Sequence, residues 1–443
     1  MTLTRRSFLK SSAALGMSAF AAPAILGADK VKRYRTALIG TGWWGMNILE
    51  EAVKSGQSQV VALCDVDPSQ REVAIDELGG MTSDQPRSYS DFREMFDQEQ
   101  IDIAIIATPD HWHSLQSIAA LKHGAHVFVE KPTGHTINES RAIVSAAKAA
   151  DRIVQVGLHR RIGPHHVSGM QFLRKKEHLG NVAMVKMFVN GGGGRENPTR
   201  NTDPPEGMNW DMYCGPAPLR PYCRRIHPGG FREFLDFANG QLGDWGVHWL
   251  DQVLWWADGQ TPRKIFSTGG REVAGAPILN ENEQTTDAPD HQVAVYEFES
   301  FTATWEHRKF GGPGGQPHPF GCYFYGENGV FHMGWRDGWT FYPRDGKKPV
   351  VHQDPQFDNP QDGHNVTMLW RDFLNSIETK QSPAASIEIG HRATTMSLLG
   401  MLSMKLGRSV VWDGEKERFV DDAAADKLLS REYRGEWVYP QIV

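Results

Sequence analysis

From Tyr34 to Gly157 short aliphatic runs alternate with stretches of helical period, and this constrains the fold more than any other feature of the chain. The runs are TALI (36–39), VVALC (60–64), IDIAIIA (101–107), HVFV (126–129) and IVQVG (153–157). Strands covered on both faces by crossover helices read as continuous aliphatic runs, as IAIIA does. The alternation predicts a doubly wound α/β domain with a parallel sheet.

After Gly157 the texture changes. Helical character around His165 to Lys176 gives way to NVAMVKMFVN and then to a long Gly/Pro/Asn-rich excursion through Arg195 to Gly230. Loops of that length are usually functional or mobile. KIFSTG, QVAVYEF, TATWEHR, CYFYG, GVFHM and TFYP, within residues 263–343, alternate as strands of an antiparallel sheet with one solvated or partner-covered face. Helices are expected again at 365–378 and 388–406. The predicted fold is therefore a Rossmann-type parallel sheet plus a second α/β domain with a large, mainly antiparallel, open-faced sheet. The expected boundaries are 1–28 for a targeting segment, 29–157 for the nucleotide domain and 158–443 for the substrate and oligomerisation domain.

The first residues carry Thr4-Arg5-Arg6-Ser7-Phe8-Leu9-Lys10, a charged head before a small, apolar stretch to Leu26. This order resembles the twin-arginine export signal, so a periplasmic or otherwise exported protein is expected. The apolar stretch is short for a bilayer span and contains Pro23, and no later segment reaches the ~20 apolar residues a membrane helix needs. A formal net charge of −6 without basic blocks lacks the footprint of a nucleic-acid binder. Four cysteines in 443 residues do not make a disulfide scaffold, although the spacing of Cys214 and Cys223 leaves a bond between them open.

Gly40, Gly42 and Gly45 follow the first predicted strand and open a helix, the setting of a dinucleotide fingerprint. One glycine makes the turn, one lets backbone approach a pyrophosphate, and one lets helix and strand pack. Asp65, at the end of the second strand, is placed to accept hydrogen bonds from the adenosine ribose hydroxyls. With no arginine at 66 or 67, NAD is expected and NADP disfavoured. Trp43 and Trp44 fill the fingerprint's variable positions; Trp43 either faces the nicotinamide or a sugar ring, or packs as a lid on the neighbouring loop.

ATPDHWH (107–113), VEKP (129–132), QVGLHRR and GDWGVHWLD, together with GTGWWG and CDVDP, resemble the Gfo/Idh/MocA family of NAD(P)-dependent oxidoreductases over about residues 34–410. The resemblance implies that Lys131 sits near the nicotinamide, where an ammonium stabilises a developing alkoxide. Pro132 makes Lys131–Pro132 a candidate cis bond. The family's Asp-x-x-x-His pattern falls on Asp244 and His248, with His248 as general base and Asp244 holding the imidazole or binding a substrate hydroxyl. Thr108, Pro109, His113 and Glu130 join the cofactor set, and His159, Arg160 and Arg161 are substrate-contact candidates.

The excursion, with Trp210, Tyr213, Arg224, Arg225 and His227, is the expected seat of specificity, since aromatic faces stack on sugar rings. A metal reading of His165 and His166 lacks neighbouring ligands, and hydride transfer needs no Lewis acid, so no metal is expected. The expected partner is a sugar or cyclitol, and a homodimer or homotetramer follows from the resemblance. Two rivals remain open: an NAD-dependent glycoside hydrolase working by transient oxidation, and a non-catalytic sugar-binding protein on the same fold.

Overall fold

The computed structural model describes residues 32–312, 314–315, 317–356 and 363–442. The export signal expected at 1–28 lies outside the described residues. In the first domain β1 (Tyr34–Ile39), α1 (Trp43–Lys54), β2 (Ser58–Cys64), α2 (Pro68–Gly79), β3 (Arg87–Tyr89) and α3 (Phe92–Gln98) are followed by β4 (Ile103–Ile106), α4 (His113–Lys122), β5 (His126–Val129), α5 (Ile137–Ala150) and β6 (Val154–Val156). The six strands are parallel in the order β3-β2-β1-β4-β5-β6. The five expected strands are all present, and β4 is buried along its whole length, as its IAII composition requires. β3 was not expected, because in RSY only Tyr89 is buried and three residues give no periodic signal.

Helix starts are encoded locally. Asp67 caps α2 by accepting from the amide of Ser69, with Pro68 in the first turn. Thr136 and Glu139 form a reciprocal capping box at α5. In contrast α1 begins at Gly42 with no side-chain cap, which leaves its first-turn amides for another partner.

The second domain opens with α6 (Pro164–Leu173) and α7 (Lys176–Leu179), then β7 (Val182–Gly193) and a two-stranded ribbon of β8 (Thr199–Arg200) with β10 (Glu283–Gln284). Within the excursion lies α8 (Trp210–Cys214), and α9 (Val247–Trp256) follows a π-helical turn at Leu242–Gly246. The sheet adds β9 (Lys264–Gly270), β11 (His291–Glu297), β12 (Thr302–Phe310), β13 (Phe320–Gly326), β14 (Gly329–Met333), β15 (Trp339–Pro343) and β16 (Val351–Gln353). After α10 (Gly363–Thr379) and α11 (Ile387–Leu406), β17 (Val410–Asp413) and β18 (Arg418–Phe419) complete ten strands in the order β16-β15-β14-β13-β7-β12-β11-β9-β17-β18. Only β7 with β12 is parallel in that sheet.

Along β12, Ala303, Trp305 and His307 point into the core and the residues between them do not. The opposite face stays open, with Met184, Phe266 and Val293 exposed on it. The excursion and the segment just after it build a small separate core from Trp210, Tyr213, Tyr222, Phe234 and Phe237. Cys214 and Cys223 are buried free thiols, so the bond that their spacing left open is not formed. Among the described residues no helix is long and apolar enough to cross a membrane.

Burial also traps neutral imidazoles throughout the fold. It pushes His111 and His135 down to about 3, and His113, His165 and His307 to about 4. The unfolded chain binds protons at these positions below about pH 6.5, whereas the folded chain does not until pH approaches the lowered values. Stability is therefore intact above 6.5 and falls below it, by about 1.4 kcal/mol per pH unit for each such histidine. Thermal unfolding followed by calorimetry is expected to show a midpoint that drops steeply between pH 6.5 and 5; a midpoint constant over that range contradicts the assignment.

Candidate active site

One cavity of about 730 Å³ runs past the strand ends of the parallel sheet and reaches the second domain. The loop after β1 turns at Gly40 with φ 89°, where a Cβ would fall 2.7 Å from the carbonyl carbon and oxygen of Ala107. At Gly45 a Cβ would collide with the carbonyl oxygen of Gly40, so helix and loop pack backbone to backbone. Gly42 faces open space, with nothing within 4 Å of a Cβ built on it. This bare side, together with the uncapped α1 amides, is a cradle for a diphosphate.

Asp65 forms the far end of the cradle. Its Oδ2 accepts from the amide of Thr41 at 2.9 Å and its Oδ1 from the amide of Asp67 at 3.0 Å, which fixes the carboxylate while lone pairs remain. Burial raises its pKa, opposed by those two donors. The excursion closes over this end. The amide of Asn209 donates to the carbonyl of Val66 at 3.1 Å, and Nε2 of His227 meets Oδ2 of Asp67 at 2.8 Å. Tyr213 lines the cavity, and its buried hydroxyl has no hydrogen-bond partner among the described residues. Bare glycine, uncapped amides, a fixed carboxylate and an orphaned phenol together fit an adenosine diphosphate moiety, and so the residues fit NAD.

At the other end, Nζ of Lys131 donates to Oδ1 of Asp244 at 2.6 Å and to the Asp244 carbonyl at 3.1 Å. The Lys131–Pro132 bond is cis. Nε of Arg232 also reaches Oδ1 of Asp244, at 3.3 Å. Burial alone would raise the Asp244 pKa, but the charges and hydrogen bonds of Lys131 and Arg232 outweigh it and hold the group below the usual carboxylate range. Asp110 lines the same cavity and is pushed up to about 7, by burial first and by the charge of Asp244, against the pull of Lys131 and Arg232. Glu130 sits beside them with its pKa raised by burial, and its Oε2 accepts from the amide of Lys131 at 3.2 Å.

His248 lines the cavity with Nδ1 buried and without a partner among the described residues, which leaves Nε2 as the nitrogen facing the opening. Burial first, then the positive charge of Lys131, holds its pKa well below the ordinary histidine value, so it is a neutral proton acceptor at pH 7. Its ring packs edge-on against His159 and Trp335, both at 5.1 Å between centroids. Trp44 lies at 5.8 Å from His159, while Trp43 is 65% exposed at the cavity mouth.

Of the residues singled out from the sequence, the cavity brings together Gly40, Gly42, Trp43, Trp44, Gly45, Asp65, Thr108, Pro109, His113, Glu130, Lys131, His159, Tyr213, His227, Asp244 and His248. The ring nitrogens of His113 lie 2.7 Å from the Pro132 carbonyl and 2.8 Å from the Thr108 carbonyl, and the neutral ring donates to one of them, between two strand-end loops. Asp244 does not hold the His248 imidazole. The π-helical turn carrying it turns its carboxylate to Lys131 and Arg232 instead.

Three expected substrate contacts need correction. Arg160 is buried behind the wall, stacked 3.5 Å from the Trp335 ring centre and donating to the Trp335 carbonyl. Arg161 pairs with Asp251 on α9 at 2.8 Å. Trp210 gives its indole N–H to the carbonyl of Arg220 at 2.8 Å and stacks on Tyr213 inside the small core. Arg225 pairs with Glu196 at 3.0 Å and, like Arg224, lies away from the cavity. Sequence reasoning missed Arg232, Asp110 and Trp335. Asp110 stood inside the quoted ATPDHWH and could have been weighed as a second acid, whereas nothing local marks Arg232 or Trp335.

The elevated Asp110 has a kinetic consequence. Below about pH 7 it is neutral; above, it adds one more negative charge beside the Lys131/Arg232 pair. The pH profile of kcat/KM is expected to show an ionisation near pH 7 that Asp110→Asn removes, and superimposable profiles for the two proteins would exclude this role.

Comparison with known proteins agrees with this geometry. Residues 34–158 match the oxidoreductase family with the NAD-binding Rossmann fold, and residues 188–270 and 356–439 match the C-terminal alpha/beta domain of the same family. A glycosyl hydrolase family 109 protein of Stenotrophomonas maltophilia is 33% identical over 143 residues, 31% of each chain. One from Shewanella sp. strain ANA-3 is 30% identical over 174 residues, 33% of this chain and 38% of its own. The match thus spans about a third of the length of these curated relatives.

Among solved structures, a levoglucosan dehydrogenase in complex with NADH and levoglucosan superposes with a TM-score of 0.66 at 17% identity, over 86% of this chain and 99% of the other. Aldose-aldose oxidoreductase from Caulobacter crescentus, complexed with glycerol, gives 0.62 at 18% over 86% and 100%. At that identity the likeness is one of fold. The family models match more than half of the chain and meet on the strand-end cavity, so the chain belongs to the Gfo/Idh/MocA family of NAD-binding oxidoreductases.

Proposed function

We propose that the protein moves a hydride between a secondary alcohol of a sugar, glycoside or cyclitol and an NAD that it retains through turnover. The observation carrying this reading is the convergence of Lys131, Asp244 and His248, from two domains, on one cavity that also contains the glycine cradle. The nicotinamide of NAD supplies hydride acceptance and donation. The chain supplies the rest. Asp244 and its own carbonyl aim the Lys131 ammonium, which stabilises negative charge on the substrate oxygen. Nε2 of neutral His248 takes the hydroxyl proton. The aromatic side made by Trp245 and Trp335, 5.1 Å apart, offers an apolar surface to the C–H face of a ring, opposite the charged groups.

Retention is supported by the excursion's seat over the Asp65 end, and it suits the export proposed from the twin-arginine order at Arg5 and Arg6, since free NAD is scarce outside the cytoplasm. A homodimer or homotetramer formed through the open sheet face is supported by the exposed Met184, Phe266 and Val293. A second reading, NAD-dependent glycoside cleavage by transient oxidation, is favoured by the family 109 relatives and uses the same cavity.

A screen of monosaccharides, glycosides and cyclitols against the protein carrying its own nucleotide, followed by reduced-nicotinamide absorbance, tests the main reading. Nitrophenol release from aryl glycosides without net NADH favours the second. Lys131→Met is expected to lower the rate by about 10²–10³-fold, the scale of losing one charge-stabilising donor. An unchanged rate in Lys131→Met overturns both readings, and loss of nucleotide from the wild type on gel filtration overturns retention.

A further inference from the structure

Outside the cavity, His318, His332 and Asp337 bring one ligand atom each to within 4.8 Å of one another. His332 lies on β14 with Tyr323 and Thr340 as its partners in register on the adjacent strands. His318 stacks on its ring at 3.8 Å between centroids, and Nδ1 of His318 meets Oδ2 of Asp337 at 2.8 Å. His332 is buried, yet among the described residues nothing hydrogen-bonds its Nε2. Gly321 leaves room for that ring, since a Cβ there would come 2.6 Å from Nε2.

Two imidazoles and a carboxylate are a borderline-soft ligand set, suited to zinc-class ions and poorly suited to calcium or magnesium. Around a tetrahedral ion with bonds of about 2.0–2.1 Å the ligand atoms stand about 3.3 Å apart. The observed spacing closes by side-chain rotation, which the exposed Asp337 and partly exposed His318 permit. A comparable group, Glu272, Asp290 and His291, lacks this character. There Oδ2 of Asp290 already accepts from the amides of Val273 and Ala274, and two of the three ligands are hard carboxylates.

We propose that His318, His332 and Asp337 bind one divalent transition-metal ion of the zinc class, with a further position left to water. The ion joins the segment entering β13, whose Phe320 lines the cavity, to the turn at 334–338, whose Trp335 and Arg336 line it too. It therefore fixes the wall of the active-site cavity from outside.

The test uses the full, untagged protein, stripped with a chelator and titrated with Zn(II) by calorimetry, and with Co(II) by visible absorbance. One equivalent is expected to bind at micromolar concentration or below, to give the d–d bands of a low-coordinate Co(II) site and to raise the thermal midpoint. Asp337→Asn and His318→Ala are expected to weaken binding at least tenfold with an unchanged far-ultraviolet dichroism spectrum. No saturable Zn(II) binding by the wild type, equal binding by the variants, or a preference for Mg(II) or Ca(II) overturns the proposal.

Discussion

The ion pair between Lys131 and Asp244 stands at the centre of the molecule's chemistry, because it joins the nucleotide domain to the second domain where both side chains are nearly out of water, at 13% and 19% exposure. A buried pair is not by itself a source of stability, since desolvation of both ions offsets their attraction. Its worth here is positional. Asp244 grips the ammonium twice, through side chain and carbonyl, so Lys131 has a defined direction before any ligand arrives. Arg232 on the same carboxylate, with Asp110 and Glu130 nearby, completes a group of two cations and three acids. With Asp110 near its midpoint at neutral pH, the net charge of the group shifts by one as that acid titrates, and the more positive form is the one a developing alkoxide needs.

The excursion gives the opposite end of the cavity a cover that belongs to the second domain. Asn209 reaches Val66, and His227 reaches Asp67, the residue that also caps α2. These two contacts are the structural support for the proposal that the nucleotide is retained. The same segment shares a small separate aromatic core with the residues just after it, which lets it behave as a packed element in place of a loose loop. Length and composition alone suggested a loop, and the buried Trp210 and Phe237 show why that reading was too simple.

The elements that sequence made legible are those with a local physical signature. Continuous aliphatic runs marked the buried strands, and each glycine of the fingerprint is demanded by a contact a Cβ would violate or by an opening it would fill. Asp244 and His248 were found together, but their mutual geometry was not, because the chain makes a π-helical turn there that spacing in the sequence does not announce. Arg160 and Arg161 were misplaced for a related reason: a short 3₁₀ turn at His159–Ile162 sends His159 to the cavity and its neighbours elsewhere, and no periodicity announces that. Arg232 and Trp335 come from loops about a hundred residues apart that meet only in the folded chain.

Arg160 shows what such a misplaced residue does instead. Its guanidinium carbon lies 3.5 Å from the Trp335 ring centre and it holds that residue's carbonyl, so the ring that meets His248 and His159 in T-shaped contacts is clamped by a cation. A planar cation stacked on an indole is stiff and weakly hydrated, which lysine could not reproduce at a buried site. The cavity thereby acquires one rigid aromatic side, with Trp245 and Trp335 in contact, and one charged side around Lys131 and Asp244. A ligand with one C–H face and several hydroxyls satisfies both sides at once. A flat aromatic substrate would leave the carboxylates facing apolar atoms, and a highly charged one would meet the rings. This division is the physical ground for the proposal of a sugar or cyclitol as substrate.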